Sequence, residues 1–571
     1  MNDNHMSGAS WYKPLPIGIS DFKKLIGSGY YYIDKTLFIK ELIDKKSEVN
    51  LFTRPRRFGK SLCLSMIRYF FEKSENNCEN PFLGLNIMDA GIKYTSEMNK
   101  YPVVYISFKN IESDNFERSV KNLRDEIIRE FERHSYVLDN DKINARKKAR
   151  YINMMDEKTD DGELADGVRF LSECLEQYHS EKAIILLDEY DVPLENAYFN
   201  GFYDEMAGLI RRLFNTALKD NGSLCFAVLT GCLRVSKESI FTGFNNPNIF
   251  SIASNAYSEY FGFTEEEVAR AFDFYGVKNK LKEARRWYNG YVFGSANVYN
   301  PWSILNFLFD SSENKDWYPS PYWANTSSNG IVRELAELAR KETRDEIENL
   351  IQGGSITKPV YEDIVYGEIK RDTDYLWNFL FFTGYLKKTG EIIDDNKKYF
   401  TMEIPNVEIL YIYETKIKEW FTDKINAIDM GDLYESIVTG DAQNFEDALS
   451  VLLADTISYF DSRESFYHGF LTGVLSRMDG YAVKSNRESG NGRGDIFLTP
   501  ASMKKPAVII EIKAADTYAG MEKSCVDALL QINENKYEFD LRQTGYNKII
   551  KYGIAFYRKD CMIRLCDTTG T

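Results

Sequence analysis

Residues 51–62 read LFTRPRRFGKSL, a short apolar lead that breaks into a basic turn and ends in Gly59-Lys60-Ser61. Beyond it, Leu62, Leu64, Met66, Ile67, Phe70 and Phe71 recur at near-helical spacing, so the order is strand, turn, Gly-Lys-Ser, helix. A phosphate-binding loop requires that order. Backbone N–H groups at the helix start face the anion, the lysine reaches the outer phosphates, and the serine hydroxyl is left for a magnesium ion. The full pattern, G-x-x-x-x-G-K-[ST], places its first glycine at position 54, where this chain has Arg54, then Pro55, Arg56 and Arg57. Arg54 can still pair with phosphate, but the loop must turn there without a residue that tolerates positive φ. The competing reading is a basic surface turn before an amphipathic helix.

Residues 183–191, AIILLDEYD, decide between the two. Five apolar residues ending abruptly in Asp188-Glu189 read as a buried, parallel strand with its carboxylates at the carboxyl end, where open α/β sheets bind ligands. Together with the loop this makes one nucleotide site. Asp188 is expected to hold magnesium with Ser61, and Glu189 to orient and deprotonate the attacking water. A solvent-exposed strand cap is the alternative for these acids.

At 571 residues the chain is long enough for two to four domains of roughly 150 residues, each with its own core. Aromatic content of 14% and charged content of 27% exclude a disordered chain. No run of eighteen apolar residues and no secretory leader pattern is present, so a cytoplasmic location is expected. The eight cysteines form no CxxC pair and histidines number four, which points to free thiols rather than zinc. A net charge of −15 argues against a generally basic surface, so any nucleic acid contact must be local.

In chain order, Asp34-Lys35-Thr36 caps a helix over 36–45, residues 102–108 make a second sheet strand, and 115–137 form a long charged helix. Residues 138–165 read as a solvent-exposed insertion. After the acidic strand come a helix over 203–219 and a buried strand, 224–231, ending in Thr230, with Arg234 just beyond. By analogy with ATPases of this topology, Thr230 stands where a phosphate sensor is placed and Arg234 where a cation neutralises transferred charge. A structural ion pair is the equal alternative for Arg234.

The strings RPRRFGKSL, LLDEYD, LTGCLRVSKESIFTGFNN, WYNGYVFG, VYNPWSILNFL and YWANTSSN together resemble the predicted AAA-type ATPase family that carries a C-terminal nuclease-like domain, over nearly the full length. The resemblance implies that Arg54 in place of glycine is family usage. It implies a nucleotide site built from Arg54, Arg56, Arg57, Phe58, Gly59, Lys60, Ser61, Asp188, Thr230 and Arg234, with ATP and Mg2+ as ligands. Trp287, Tyr288, Tyr291, Trp302 and Trp323 read as packing that closes the ATPase domain, with a base-stacking platform as the alternative. Residues 331–352 read as helical, 374–404 as a helix and hairpin of winged-helix-like order, and 407–458 as mostly helical.

The C-terminal part carries a second chemistry. A helix over 464–477 precedes YAVKSNRESGNGRGDIFL and AVIIEIKAAD, and a helix over 520–535 follows. Asp495 opens one strand; Glu511 and Lys513, two apart on the next, share a face. A carboxylate beside Glu-x-Lys on a neighbouring strand is the arrangement of the PD-(D/E)XK nucleases, and a chance strand pattern is the alternative. Two carboxylates about 4 Å apart repel by roughly 4 kcal/mol at an effective dielectric of 20, which a magnesium ion relieves. Asp495 and Glu511 are therefore expected metal ligands, and Lys513 is expected to position water or stabilise transition-state charge. By resemblance to resolvase-like members, Glu464 supplies a further carboxylate to the metal and to catalysis, with Glu488 competing. His468, one helical turn on, either assists or packs. Gln531 and Tyr537 resemble a Gln and Tyr turned towards substrate, with plain helix surface as the alternative. Arg493, with Gly490, Gly492 and Gly494, forms a turn able to approach a phosphate backbone.

The fold expected is therefore α/β: a P-loop parallel-sheet domain over 14–285, a helical and winged-helix-like connecting region over 286–458, and a PD-(D/E)XK nuclease-like domain over 459–571. The function expected is an ATP-binding and ATP-hydrolysing protein joined to a metal-dependent nuclease on nucleic acid, DNA by preference. The rival is a regulatory or scaffold NTPase whose nuclease-like part only binds a partner. Homo-oligomerisation is left open.

Overall fold

The computed structural model describes residues 12–73, 80–156, 160–234, 247–324, 341–362, 373–415, 430–456, 464–489 and 492–566. The chain divides into two compact units, Met1–Glu414 and Thr415–Thr571, so segment 286–458 contributes to both.

The first unit is built on five parallel strands, β1 (Val49–Thr53), β2 (Val103–Ser107), β3 (Ala183–Asp188), β4 (Leu224–Gly231) and β5 (Asn248–Phe250), in the order β2-β3-β4-β1-β5. Every residue of β1 and β3 is buried, as expected for strands covered on both faces. Strand β4 separates β1 from β3, so the loop after β1 and the acids after β3 leave the same sheet edge about 10 Å apart, two strand spacings.

The helix expected over 36–45 is Leu37–Lys45, and the Asp34 carboxylate accepts from Thr36 N at 2.8 Å and Thr36 Oγ1 at 2.6 Å. The segment 138–165 departs from the expectation of an exposed insertion. It contains the helix Ala145–Met154, whose Tyr151 and Met154 are buried; Tyr151 Oη donates to Phe131 O at 2.7 Å. Two apolar residues three apart suffice to dock a helix whose remaining surface, ARKKAR, is charged.

The antiparallel pair β6 (Tyr291–Phe293) and β7 (Ala296–Val298) follows, entered through Gly290 at φ +102°, where a Cβ would collide with Pro405 O. Tyr288, Tyr291 and Trp323 are buried and Trp287 and Trp302 half-buried, so the aromatic cluster is chiefly packing. The apolar helix Thr373–Phe382 then leads into β9 (Lys387–Asp394) and β10 (Lys397–Glu403), which β8 (Ile356–Pro359) joins as a three-stranded antiparallel sheet. Asp395 and Asn396, both at positive φ, make the two-residue hairpin turn.

The second unit is a five-stranded mixed sheet, β11 (Tyr481–Ser489), β12 (Gly492–Pro500), β13 (Ala507–Ala514), β14 (Ile549–Tyr557) and β15 (Asp560–Leu565), in sequence order. Only β13 and β14 are parallel, and the helix Met521–Glu534 makes their crossover. Alternate residues serve opposite faces. Ile496, Leu498, Val508, Ile510 and Ile512 pack with the helices Gly431–Thr439, Ala442–Thr456 and Glu464–Leu475, while Phe497, Ala507 and Ile509 pack with Ile532, Tyr537 and Leu541. Among the described residues no helix is long and apolar enough to cross a membrane.

Candidate functional site

The loop after β1 solves its turn without a glycine at position 54. Arg57 adopts φ +69° and Gly59 φ +81°, so one left-handed step falls three residues after the pattern's first glycine position and the other on its second glycine. A non-glycine residue held there stores roughly 1–3 kcal/mol of strain. Its guanidinium lies 4.4 Å over the Trp302 ring. The helix Lys60–Phe71 starts directly after Gly59. Lys60 is buried, its ammonium donating to Arg54 O at 3.0 Å and Pro55 O at 3.1 Å, so it caps the loop's own carbonyls. Arg56 pairs with Glu195 at 2.7 Å.

Arg54 corrects the expectation that it pairs with phosphate. Fully buried, it donates to Thr53 O at 2.9 Å, Phe250 O at 2.6 Å and Tyr257 O at 3.5 Å, between the rings of Phe261 and Phe293. It shapes the loop from behind instead.

The acids sit where the sheet order requires. Asp188 is buried, hydrogen-bonded by Ser61, and accepts from Thr230 Oγ1 at 2.6 Å. Burial, and then the Glu189 charge, push its carboxyl above the usual range, against the lowering effect of those two hydroxyls. Thr230 also receives the Glu189 N–H at 3.4 Å, so it positions the acidic pair; its expected contact with phosphate gives way to this role. Glu189, at φ +52°, turns the chain sharply as β3 ends and places its side chain on the adjoining cavity. Asp191, which the sequence reading left without a role, accepts from Cys232 N at 2.7 Å and Leu233 N at 2.9 Å and fixes the chain after β4. Burial raises its pKa to about 6.

A cavity of about 460 Å³ opens over this edge, lined by Arg56, Arg57, Phe58, Gly59, Lys60 and Ser61 together with Glu189. Arg54 and Arg234 do not line it. The Ser61 hydroxyl, the Asp188 carboxylate and the neighbouring Glu189 form a set of hard oxygen donors that fits magnesium.

In the second unit Asp495, Glu511 and Lys513 come together. Asp495 Oδ2 accepts from Ile512 N at 2.9 Å, Asp495 N donates to Glu511 Oε2 at 3.3 Å, and Lys513 Nζ lies 3.4 Å from Glu511 Oε1. Asp495 is the fourth residue of β12 rather than its first, because Gly492 and Gly494 pair within the β11–β12 ladder. Glu511 is 1% exposed, and burial followed by the Asp495 charge raises its pKa to about 7. Such a pair fits a divalent cation, which replaces the proton it would otherwise hold.

His468 Nε2 meets Asp495 O at 3.1 Å and Ser485 Oγ at 3.4 Å, bracing the strand that carries the aspartate. Glu464, one turn earlier, is exposed at the start of its helix. Among the described residues no three His, Cys, Asp or Glu side chains converge closely enough to hold a metal, so Glu464 is not gathered with Asp495 and Glu511. The side chains of Glu488 and Arg493, and all of Gly490, lie outside the described residues. Gln531 and Tyr537 meet each other rather than an open face: Gln531 Nε2 donates to Tyr537 Oη at 3.1 Å, and the tyrosine is buried beside Phe497. The helix stops at Glu534, and the chain folds the tyrosine back into the core.

Residues 16–241 match the family of predicted AAA-ATPases and residues 462–565 match the PD-(D/E)XK nuclease superfamily. The chain joins an AAA-ATPase-like domain to a PD-(D/E)XK nuclease-like domain. A protein of Azotobacter chroococcum mcd 1, described as an uncharacterized protein in the vnfD 5′ region, is 27% identical over 561 residues, covering 96% of this chain and 97% of that one. No solved structure matches. In the AAA-ATPase-like domain, the matched segment contains the loop, both acids and Asp191; the last acid of DEYD was the available signal for that residue. Lys109, after β2, also lines the cavity and carries no motif that would have singled it out.

Proposed function

We propose that this chain is an ATP-binding and ATP-hydrolysing switch joined to a magnesium-dependent nuclease that cuts nucleic acid, DNA by preference, in the cytoplasm. The observation that carries the reading is the meeting of Asp495, Glu511 and Lys513 on one sheet face, where burial and the Asp495 charge raise the Glu511 pKa to about 7. Magnesium, when bound at either pair of acids, supplies positive charge against phosphate oxygens and acidifies a water. At the C-terminal site Asp495 and Glu511 would hold it, Lys513 donates to the phosphoryl oxygens, and His468 keeps the Asp495 backbone in place. At the N-terminal site Ser61 and Asp188 would hold it. Lys60 leaves the carbonyls of Arg54 and Pro55 for the phosphates, and Glu189 takes the proton of the attacking water.

The purified protein is to be incubated with plasmid and with single-stranded DNA, with and without ATP and magnesium. Magnesium-dependent cutting that ATP alters is the expected result. Cutting indifferent to nucleotide would reduce the first domain to an assembly platform, and no cutting under any condition would remove the nuclease reading. One observation favours the regulatory or scaffold alternative: Lys60 is engaged with the loop's own carbonyls, a self-closed state suited to slow turnover.

The raised Glu511 pKa gives a separate check. The native carboxyl binds its proton up to about pH 7, whereas the unfolded one releases it near 4.5, so between these values the folded state holds more protons. Without metal, stability therefore falls as pH rises through that window. At pH 7 about half the molecules carry the proton, and magnesium expels it. Calorimetry in buffers of different ionisation enthalpy should record release of about half a proton at pH 7, falling towards zero above pH 9. Glu511→Gln should abolish the release.

A further inference from the structure

Five cationic side chains line the cavity over the phosphate loop: Lys35, Arg56, Arg57, Lys60 and Lys109. Four are engaged. Lys35 Nζ donates to Glu267 and Glu259 O at 2.7 Å, Arg56 pairs with Glu195, Arg57 lies over Trp302, and Lys60 caps two loop carbonyls. The exposed Lys109 ammonium has no such partner among the described residues.

Its placement follows from the sheet. Ser107 is in register with Asp188, and the next residue, Phe108, donates its N–H to Asp188 O at 2.9 Å. Lys109 is therefore the first residue to leave the sheet beside the acidic pair. Phe108 and Ile111 are both fully buried, and Ile111 N donates to Phe108 O at 3.1 Å, so a tight turn pinned at both sides presents Lys109. Lysine on an anchored turn loses less freedom on meeting an anion than one on a loose loop.

We propose that Lys109 is a catalytic residue of ATP hydrolysis, its ammonium neutralising the charge on the transferred phosphoryl oxygens beside Glu189. The assignment rests on the ATP-hydrolysing reading above, and it fills the role expected of Arg234, which does not line the cavity. In the step concerned, the water oxygen bonds to the terminal phosphorus, the bond from that phosphorus to the bridging oxygen breaks, and the water proton passes to Glu189. ADP and phosphate leave, and nothing is oxidised or reduced. Lys109 takes no proton; it acts on charge that grows in the transition state.

The test compares Lys109→Ala and Lys109→Arg with the unmodified full chain, reading kcat for ATP hydrolysis and, separately, the Kd of a fluorescent ATP analogue. Because Lys109 is exposed, both variants should fold, which their melting temperatures verify. Lys109→Ala should lower kcat by about 10- to 100-fold while Kd changes by less than about threefold, and arginine should restore much of the rate. A kcat within about threefold of the unmodified protein, or a loss confined to Kd, overturns the assignment. An unmodified protein that binds the analogue but never hydrolyses ATP brings down the ATPase reading and this assignment with it.

Discussion

Lys60→Ala leaves a folded protein that no longer holds ATP. The lysine contributes a charge the phosphates need, and it also satisfies two carbonyls of buried residues, Arg54 O and Pro55 O. Truncation therefore costs the empty protein some stability, which its melting temperature reads, and costs the complex its phosphate contacts. Two charge-assisted contacts at about 1.5 kcal/mol each amount to roughly 3 kcal/mol, or a weakening of about 100-fold or more in Kd. Fluorescent-analogue binding and phosphate release measure both halves of the effect, with Lys60→Met as a control that keeps the buried stem. Hydrolysis that survives Lys60→Ala unchanged would remove the nucleotide site from the account.

Lys513→Ala should stop magnesium-dependent cleavage and leave the C-terminal sheet intact. The side chain is 26% exposed, and its ammonium meets Glu511 Oε1 at 3.4 Å, so the fold loses one half-exposed contact. The reaction loses the cation expected to face the phosphorane-like transition state, a loss of about 10²- to 10³-fold for one such donor. A second effect has a definite sign. The Lys513 charge holds the Glu511 pKa down against burial and Asp495, so its removal pushes that carboxyl further above 7. Proton release on magnesium binding at pH 7 should then rise rather than fall, which separates this variant from Glu511→Gln. Cleavage at the original rate in Lys513→Ala, with the protein folded, would overturn the role.

The parts legible from sequence are those in which one residue's neighbours in the chain are also its constraints. The aliphatic run into Asp188 could only be a covered strand, and Glu511-x-Lys513 share a face whatever surrounds them. What escaped was set by partners distant in sequence. Arg54 looks like a phosphate ligand until the carbonyls of Phe250 and Tyr257 are brought to it. Thr230 looks like a sensor until β4 is seen beside β3, which gives its hydroxyl to Asp188. Lys109 has no motif at all; only the register of Ser107 with Asp188 places it beside the acids. Tyr151 was hidden by charged neighbours, and Tyr537 by a helix that ends three residues earlier than the tyrosine.

The backing of the phosphate loop has a practical consequence. Phe58 lies against the rings of Tyr291 and Phe293, Arg57 against Trp302, and a Cβ at Gly384 would come within 3.0 Å of Pro55. A truncated clone stopped at residue 285 would keep every recognisable nucleotide motif yet discard the mould in which the loop is cast. The smallest excisable piece that preserves this site has to run past Gly384, a limit set by who touches the loop and invisible in any inventory of motifs.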